Sequence, residues 1–512
     1  MSRTRLLLVL GAIVLAMPLG ALPGRGVVTD QCDFDNDGFT DVPLGVPFEN
    51  IGSEEDAGGL GLAYGSASGM DQGRTLFITQ DSAGMKGTVE FLDLFGYSVA
   101  CGHFDNDGMA DLAIGVPLDL DDASVYSGTV AVLLSEGAVI GANDQLWSMA
   151  STGVIGTGDI NDFFGGALAA GDFNNDGIDD LAIGSPQDEA GSTADAGAIN
   201  ILLGSSTGLT ATGDQRFHQS TAGIQGTPAT DEGWGNLLAA GDFDGDGYAD
   251  LAVGSSWLDG STDGAGEVNL LYGSASGLSD RDQLWSQASA GISGAAEAGD
   301  FFGEGLAAGD INGDGMDDLV VGAPGENGDT GQIHILYGAG GGLTSTGSQV
   351  FSQATSGVLG TGATGEAFGI RVAVGDVDND GYADVVVGVP AENISGVGLC
   401  GGVNLLRGSA AGLTATGDEL WTQDSTGVQG GAEAGDSFGL YVALADATGD
   451  GRMDLLIGAP FENVGSTSNA GVLHLLPGAT SGVTSAGDQY FDQSLVQTPE
   501  TDDEFGGLGD LG

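Results

Sequence analysis

Positive charge is the scarcest property of this sequence: 10 Lys and Arg stand against 73 Asp and Glu in 512 residues, a formal net charge of -63. Nucleic acid and anionic membrane surfaces both need a basic face, so this balance argues against either as a partner. Low-complexity composition is missing too. The 97 Gly and 12 Pro fall short of a disordered Pro/Gly-rich chain and lack the every-third-residue glycine of collagen. With 41% hydrophobic residues the chain can bury a core. Long apolar runs are absent after the amino terminus. There, Arg3 and Arg5 precede an uncharged stretch from Leu6 to Leu22, followed by small residues around Ala21, Gly24 and Gly26. That is the pattern of a secretory signal peptide over residues 1–26, since Gly11, Pro18 and Gly20 and the short length argue against a membrane anchor. Its removal takes Arg3, Arg5 and Arg25, leaving 7 basic against 73 acidic residues in a chain expected to be secreted, extracellular or periplasmic. No Walker loop, His-Glu-x-x-His or nucleophile elbow is present.

What is present is a repeat. Nine-residue acidic loops recur at 33–41, 103–111, 172–180, 242–250, 310–318, 376–384 and 446–454, at steps of 66 to 70 residues. A period that regular marks one supersecondary unit copied and stacked. Around each loop stand four short apolar runs bounded by Gly, Ser, Thr or Asp; in the fifth unit they are Leu306–Gly309, Leu319–Pro324, Gln332–Tyr337 and Gln349–Gln353. Runs of this length and composition read as strands. Four strands in each of seven units predict an all-β, seven-bladed β-propeller of four-stranded antiparallel blades, one domain over residues 27–512. The last residues, Phe505-Gly-Gly-Leu-Gly-Asp-Leu-Gly512, match the start of a further unit, and the first unit lacks that opening. The C-terminal segment is therefore expected to pair with blade one and close the ring, removing exposed sheet edges.

Phe-Gly at 95–96, 164–165, 302–303, 368–369 and 438–439, the acidic loops, and Gly-x-Pro at 45–47, 115–117, 184–186, 322–324, 388–390 and 458–460 together resemble FG-GAP repeats. The resemblance implies the seven-bladed propeller of integrin alpha subunits, also found in many secreted bacterial proteins. The fourth unit departs, with Trp234-Gly235 for Phe-Gly and Gly254-Ser-Ser256 for Gly-x-Pro.

Oxygen side chains at loop positions one, three and five, a glycine at six and a carboxylate at nine can wrap a hard cation, and calcium tolerates the irregular shell such a loop offers. The expected ligands are Asp33, Asp35, Asp37 and Asp41 in loop one; Asp105, Asp107 and Asp111 in loop two; and Asp172, Asn174, Asp176 and Asp180 in loop three. Loop four offers Asp242, Asp244, Asp246 and Asp250, loop five Asp310, Asn312, Asp314 and Asp318, loop six Asp376, Asp378, Asp380 and Asp384, and loop seven Asp446, Thr448, Asp450 and Asp454. The motif is not an EF-hand, because its twelfth position is an aliphatic strand residue in every copy. Loops one, four and six carry four carboxylates, whereas loop two has His103 at position one and is expected to bind weakest of up to seven sites. By the resemblance, the ions lie opposite the face where integrins meet ligands, and their role is mainly structural.

Residues out of register with the repeat are few. His334 and His474 occupy a strand position held elsewhere by Asn200, Asn269 and Asn404, and Trp147, Trp285 and Trp421 share one packing position. The main out-of-register aromatic is Trp257, in a loop on the expected recognition face, and it is the candidate ligand contact. The recurring Glu49-Asn50, Glu326-Asn327, Glu392-Asn393 and Glu462-Asn463 pairs read as blade-stabilising. Cys32 and Cys101 both precede acidic loops but are offset by one register position, so a bridge between them stays open, and Cys400 is left over. The function expected is a non-enzymatic, monomeric, calcium-binding adhesion or recognition module for a protein or glycan. The alternative is a secreted polysaccharide-active enzyme, because some calcium-binding propellers are lyases.

Overall fold

The computed structural model describes residues 32–120, 125–135, 140–256 and 264–506. Six four-stranded antiparallel sheets and one of three described strands follow one another along the chain. Blade one holds Val42–Val46, Gly59–Ala63 and Thr75–Ile78. Blade two holds Ser98–Gly102, Asp111–Val116, Thr129–Ser135 and Ile140–Trp147, and blade three Ala167–Gly171, Asp180–Ser185, Ala198–Leu203 and Thr210–Phe217. Blade four has Leu237–Gly241, Asp250–Ser255, Glu267–Leu271 and Asp282–Trp285, and blade five Gly305–Gly309, Asp318–Ala323, Gln332–Tyr337 and Thr344–Phe351. Blade six has Val372–Gly375, Asp384–Val389, Gly402–Arg407 and Thr414–Trp421, and blade seven Tyr441–Ala445, Asp454–Ala459, Val472–Leu476 and Gln489–Asp492. This is the all-β seven-bladed propeller that the repeat predicts.

The fourth strand of blade five begins at Thr344, five residues before the apolar run at Gln349. A register shift between Ile335 and Tyr337 lets Tyr337 pair with Thr344, which extends the strand through polar residues.

Stacking explains why the inner strands are apolar throughout rather than alternating. In Asp318–Ala323 every residue is buried. Leu319, Val321 and Ala323 face the core shared with blade four, alongside Val268, Leu270 and Phe302, while Val320 joins Ile335, Val374 and Val385 in the core shared with blade six. Successive side chains thus serve opposite neighbours.

In blades two to seven both ends of the first strand are pinned, and Phe505 and Phe34 take the corresponding places on either side of residues 507–512, which lie outside the described residues. At one end a buried aromatic of the Phe-Gly motif (Phe95, Phe164, Trp234, Phe302, Phe368, Phe438, Phe505) enters the core. At the other, loop position two does so: Phe34, Phe104, Phe173, Phe243, Ile311, Val377 and Ala447. The Gly-x-Pro glycine lets adjacent blades touch: a Cβ on Gly322 would lie 1.9 Å from the carbonyl oxygen of Gly369.

The acidic loops are laced to one another around the ring. The position-eight amide of each loop donates to the position-one carbonyl of the loop before it: Ala110 to Asp33, Asp179 to His103, Ala249 to Asp172, Asp317 to Asp242, Ala383 to Asp310 and Met453 to Asp376. Thr40 N donates to Asp446 O at 3.1 Å, so the same bond joins blade seven to blade one. Phe505 N donates to Ala470 O, as Phe302 N does to Ala265 O, which puts Phe505-Gly506 in the Phe-Gly place after blade seven. The remainder of the proposed closing strand, residues 507–512, lies outside the described residues, as do the leader at 1–26 and Trp257. Cys32 and Cys101 form a disulfide between blades one and two, at a sequence separation of 69 and with 5.4 Å between their Cα atoms. Cys400 is free and buried. Among the described residues no helix is long and apolar enough to cross a membrane.

Candidate functional site

In blades two to seven the acidic loop joins the first strand to the second, and in blade one it leads into Val42–Val46, so all seven stand on one face and the Phe-Gly motifs on the other. Position four needs a left-handed backbone, and the sequence puts Asn36, Asn106, Asn175 and Asn379 or Gly245, Gly313 and Gly449 there. Position six has positive φ in every copy, with open space around Gly38, Gly108, Gly177, Gly315 and Gly381 and only the tip of an asparagine side chain beside Gly247 and Gly451, so conformation rather than crowding selects glycine there.

With the chain bent this way, the carboxylates divide into two kinds. Position nine is buried and structural. In loop five, Asp318 Oδ2 accepts from Ile311 N at 3.0 Å and Oδ1 from Gly338 N at 2.9 Å, tying the loop to the end of the third strand. Asp41, Asp111, Asp250 and Asp384 make the same double contact, Asp454 accepts from the position-three amide of Thr448 and from Gly478 N, and Asp180 takes the Gly204 amide. Burial pushes these carboxyls up: Asp41, Asp111, Asp180, Asp318, Asp384 and Asp454 to about 7 and Asp250 to about 8, with the neighbouring loop carboxylates adding to the rise. Positions one and five shape the bend. Asp310 accepts from the amides of Asp314 and Gly315, and Asp314 from that of Met316.

Position three distinguishes the loops. Asp stands there in loops one, two, four and six, and in loops one, four and six an arginine of the same blade covers it: Arg74 pairs with Asp35, Arg281 with Asp244 at 2.6 Å, and Arg407 with Asp378 at 3.6 Å. Arg74 and Arg281 are held in place by stacking on Tyr64 and Tyr272. Where position three is neutral, Asn174 and Asn312 donate to the position-nine carboxylates. The sequence gives little sign of these arginines, because Arg74 and Arg281 share one place before the fourth strand while Arg407 stands at the end of the third. In loops one, four and six, three carboxylates each offer an oxygen within 4.8 Å of the others: Asp33, Asp35, Asp37; Asp242, Asp244, Asp246; and Asp376, Asp378, Asp384. Asp244 Oδ1 and Asp378 Oδ1 are buried there without a hydrogen-bond partner. Loop two differs as its sequence suggests, since the His103 ring faces the Met109 carbonyl (Nδ1 to O, 2.8 Å) instead of accepting the loop's amides.

The opposite face carries a second set of acids. Two residues before each Phe-Gly or Trp-Gly stands Asp93, Asp162, Glu232, Asp300, Glu366, Asp436 or Asp503, and each accepts from the backbone amide three residues upstream. Asp119, Asp188, Glu326, Glu392, Glu462 and Glu49 follow Gly-x-Pro in the same blades. A glutamine of the preceding blade donates to most of them: Gln80 to Asp119, Gln287 to Glu326, Gln353 to Glu392, Gln423 to Glu462 and Gln493 to Glu49. The Glu-Asn repeat is therefore an inter-blade clamp. Where Met149 replaces the glutamine, Arg216 pairs with Asp188 instead, and where Leu258 replaces the acid, Gln219 donates to Glu267. Burial raises these carboxyls as well, Glu49 and Glu462 to about 7, Asp162 to about 7 and Asp93 to about 8.

Among the described residues, the histidines and tryptophans singled out from the repeat are structural. His334 is buried against Phe302, 3.0 Å from Gln332 Nε2, and burial lowers it to about 4. His474 Nδ1 faces Asp488 Oδ1 at 3.3 Å. Trp147, Trp285 and Trp421 pack against the inter-blade cores, and Trp234 fills the Phe position with Nε1 donating to Asn269.

The FG-GAP repeat profile matches residues 164–202, 234–270, 302–336, 368–402 and 438–476, which begin at the Phe-Gly or Trp-Gly motifs of blades three to seven. Integrin alpha pat-2 of Caenorhabditis briggsae is 32% identical over 240 residues, covering 45% of this chain and 18% of that protein. Phosphatidylinositol-glycan-specific phospholipase D of Dictyostelium discoideum is 29% identical over 185 residues, covering 34% and 19%. The chain thus spans about a fifth of the length of either relative. Among solved structures, rhamnogalacturonan lyase YesW aligns over 79% of this chain and 77% of its own at 12% identity, with a TM-score of 0.31. The fourth unit matches despite its tryptophan, and the repeats, their register and the blade count agree: the chain is an FG-GAP repeat protein, a seven-bladed β-propeller similar to integrin alpha chains.

Proposed function

We propose that the protein is a secreted, calcium-loaded propeller that acts as a binding or adhesion module, with calcium in the acidic loops as a structural ion. The observation that carries the calcium reading is the pair of buried, unpartnered oxygens, Asp244 Oδ1 and Asp378 Oδ1, each within a cluster of three carboxylates. A buried acceptor without a donor is costly, and a hard cation among oxygen donors removes that cost. The ligands would be the side chains at positions one, three, five and nine of each loop. His103 leaves loop two the weakest. Ion binding to the folded chain alone stabilises each occupied site by about 4 kcal/mol at a thousandfold excess over its dissociation constant. Chelation should lower the melting temperature sharply and added calcium restore it; a melt indifferent to both would refute the structural role.

The adhesion reading rests on the likeness to proteins named integrin alpha, and recognition is assigned to the Phe-Gly face, with Trp257 as the candidate contact. Screening protein and glycan ligands, with analysis for unsaturated products from acidic polysaccharides, tests it. Retention without cleavage supports a binding module, and unsaturated product identifies a lyase. Amino-terminal sequencing of exported protein would test the leader at 1–26.

A further inference from the structure

Blade two concentrates negative charge at a place far from its acidic loop. Glu90, Asp93 and Asp119 each present a carboxylate oxygen within 4.8 Å of the other two. Asp93 is 0% and Asp119 3% exposed. Asp93 Oδ2 accepts from Glu90 N at 2.5 Å, Asp119 Oδ2 from Thr129 Oγ1 at 2.7 Å and Gln80 Nε2 at 3.1 Å, and Glu90 Oε1 from Thr88 Oγ1 at 3.4 Å, while the Leu120 amide also donates to Asp119. Two buried oxygens remain without a hydrogen-bond partner, Asp93 Oδ1 and Oε1 of Gln80, a residue only 3% exposed. Among the described residues no basic side chain forms an ion pair with any of the three acids. Lys86, nearby in sequence, pairs with Asp144.

The equivalent place in blade three shows what such a site needs. There Arg216 Nη2 lies 2.5 Å from Asp188 Oδ2, the counterpart of Asp119, and supplies a positive charge from the chain itself. On the Phe-Gly face, the described residues bring three carboxylates this close only in blade two. One shared proton can reconcile a pair of buried carboxyls, but three converging carboxylates need two positive charges to approach neutrality.

We propose that Glu90, Asp93 and Asp119 bind a hard divalent cation, calcium, on the Phe-Gly face, outside the FG-GAP acidic loops. All the donors are oxygens and no His or Cys joins them, which selects against softer transition metals. Gln80 can add its unpartnered Oε1 by turning over its amide, and because Gln80 belongs to blade one, the ion would tie blades one and two together. The disulfide joins the same two blades through the first strand of blade two. This site depends on none of the seven loops.

Equilibrium dialysis with elemental analysis counts the bound ions. Asp93→Asn should bind one calcium fewer per chain than the wild type at saturation, and Glu90→Gln, altering a partly exposed side chain that leaves the fold intact, should weaken one site at least tenfold. Asp246→Asn in the same assay marks a loop site, so loss of loop binding is read separately. Wild-type stoichiometry and affinity in both Asp93→Asn and Glu90→Gln would overturn the proposal and leave the cluster as a proton-sharing one.

Discussion

Replacing Arg281 with methionine should strengthen calcium binding in loop four, the reverse of what removing a contact to the site would ordinarily do. Arg281 Nη1 lies 2.6 Å from Asp244 Oδ2, and the other oxygen of that carboxylate is the unpartnered one. An ion at about 2.4 Å from Oδ1 would stand roughly 5 Å from the guanidinium. A double charge facing a single charge at that distance is repelled by about 2 to 3 kcal/mol at an effective dielectric between about 40 and 80. The Arg281 side chain is 47% exposed, so screening reduces this to about 1 to 2 kcal/mol, or roughly 5- to 30-fold in affinity. Methionine keeps an apolar stem over Tyr272 while removing the charge and the bond to Gly341 O. Isothermal titration of the wild type and Arg281→Met, with Asp246→Asn identifying the loop-four phase, measures the change. Unchanged or weaker binding would show that the arginine supports the loop rather than competing with the ion, and would refute the electrostatic reasoning.

Replacing both Cys32 and Cys101 with serine opens a covalent loop of about 70 residues, which on chain-entropy grounds should cost about 4 kcal/mol, read as a lower denaturant midpoint with calcium held saturating. Asp318→Ala should destabilise the calcium-free protein by about 2 to 4 kcal/mol, since it strands the buried amides of Ile311 and Gly338, whereas Asp314→Asn, at an exposed position, should leave the calcium-free melt within about 0.5 kcal/mol and weaken calcium binding. The pH dependence follows from the clamp acids. Glu49, Glu462 and Asp162 are raised to about 7 in the folded chain, so between about pH 4 and pH 7 the folded chain holds more protons than the unfolded one and stability falls as pH rises through that window. Urea melts in chelator should therefore give a higher midpoint at pH 5 than at pH 8, and the opposite order would contradict the burial of these groups.

The blade count, the four-strand unit and the bend of the acidic loops were legible because each is written seven times: Asn or Gly at the left-handed fourth position and Gly at the sixth leave little conformational choice. The disulfide was not legible. Cys32 and Cys101 are offset in the repeat, and only the ring geometry, which sets the residue before one loop beside the first strand of the next blade, brings them together. The position-three arginines escaped notice for a related reason. Arg74 and Arg281 share a position before the fourth strand in only two of the seven units and Arg407 ends a third strand, so self-alignment separates Arg407 from the two residues with which it shares a role. The acids two residues before Phe-Gly were visible in every unit, but nothing in the sequence indicates that they are buried.

Their burial changes the meaning of the acidity. Composition alone suggests that charge beyond the loops lies on the surface. Blade five instead buries Asp318 on the loop face and Asp300 and Glu326 on the other, and the remaining blades do much the same. Such groups are tolerable because each has amide donors: two backbone amides for Asp318, the Glu297 amide for Asp300 and the Gln287 side chain for Glu326. Hydrogen bonds satisfy the oxygens but leave the charge, and mobile salt cannot enter to screen it. The charge can therefore be neutralised only from within, by a guanidinium as at Asp188, by a proton as the raised carboxyls of the clamp show, or by an ion bound among the carboxylates. With 10 basic residues in the whole sequence, arginine serves only a few of these places, so on the proposed reading protons and bound cations hold the two acidic faces of the ring together.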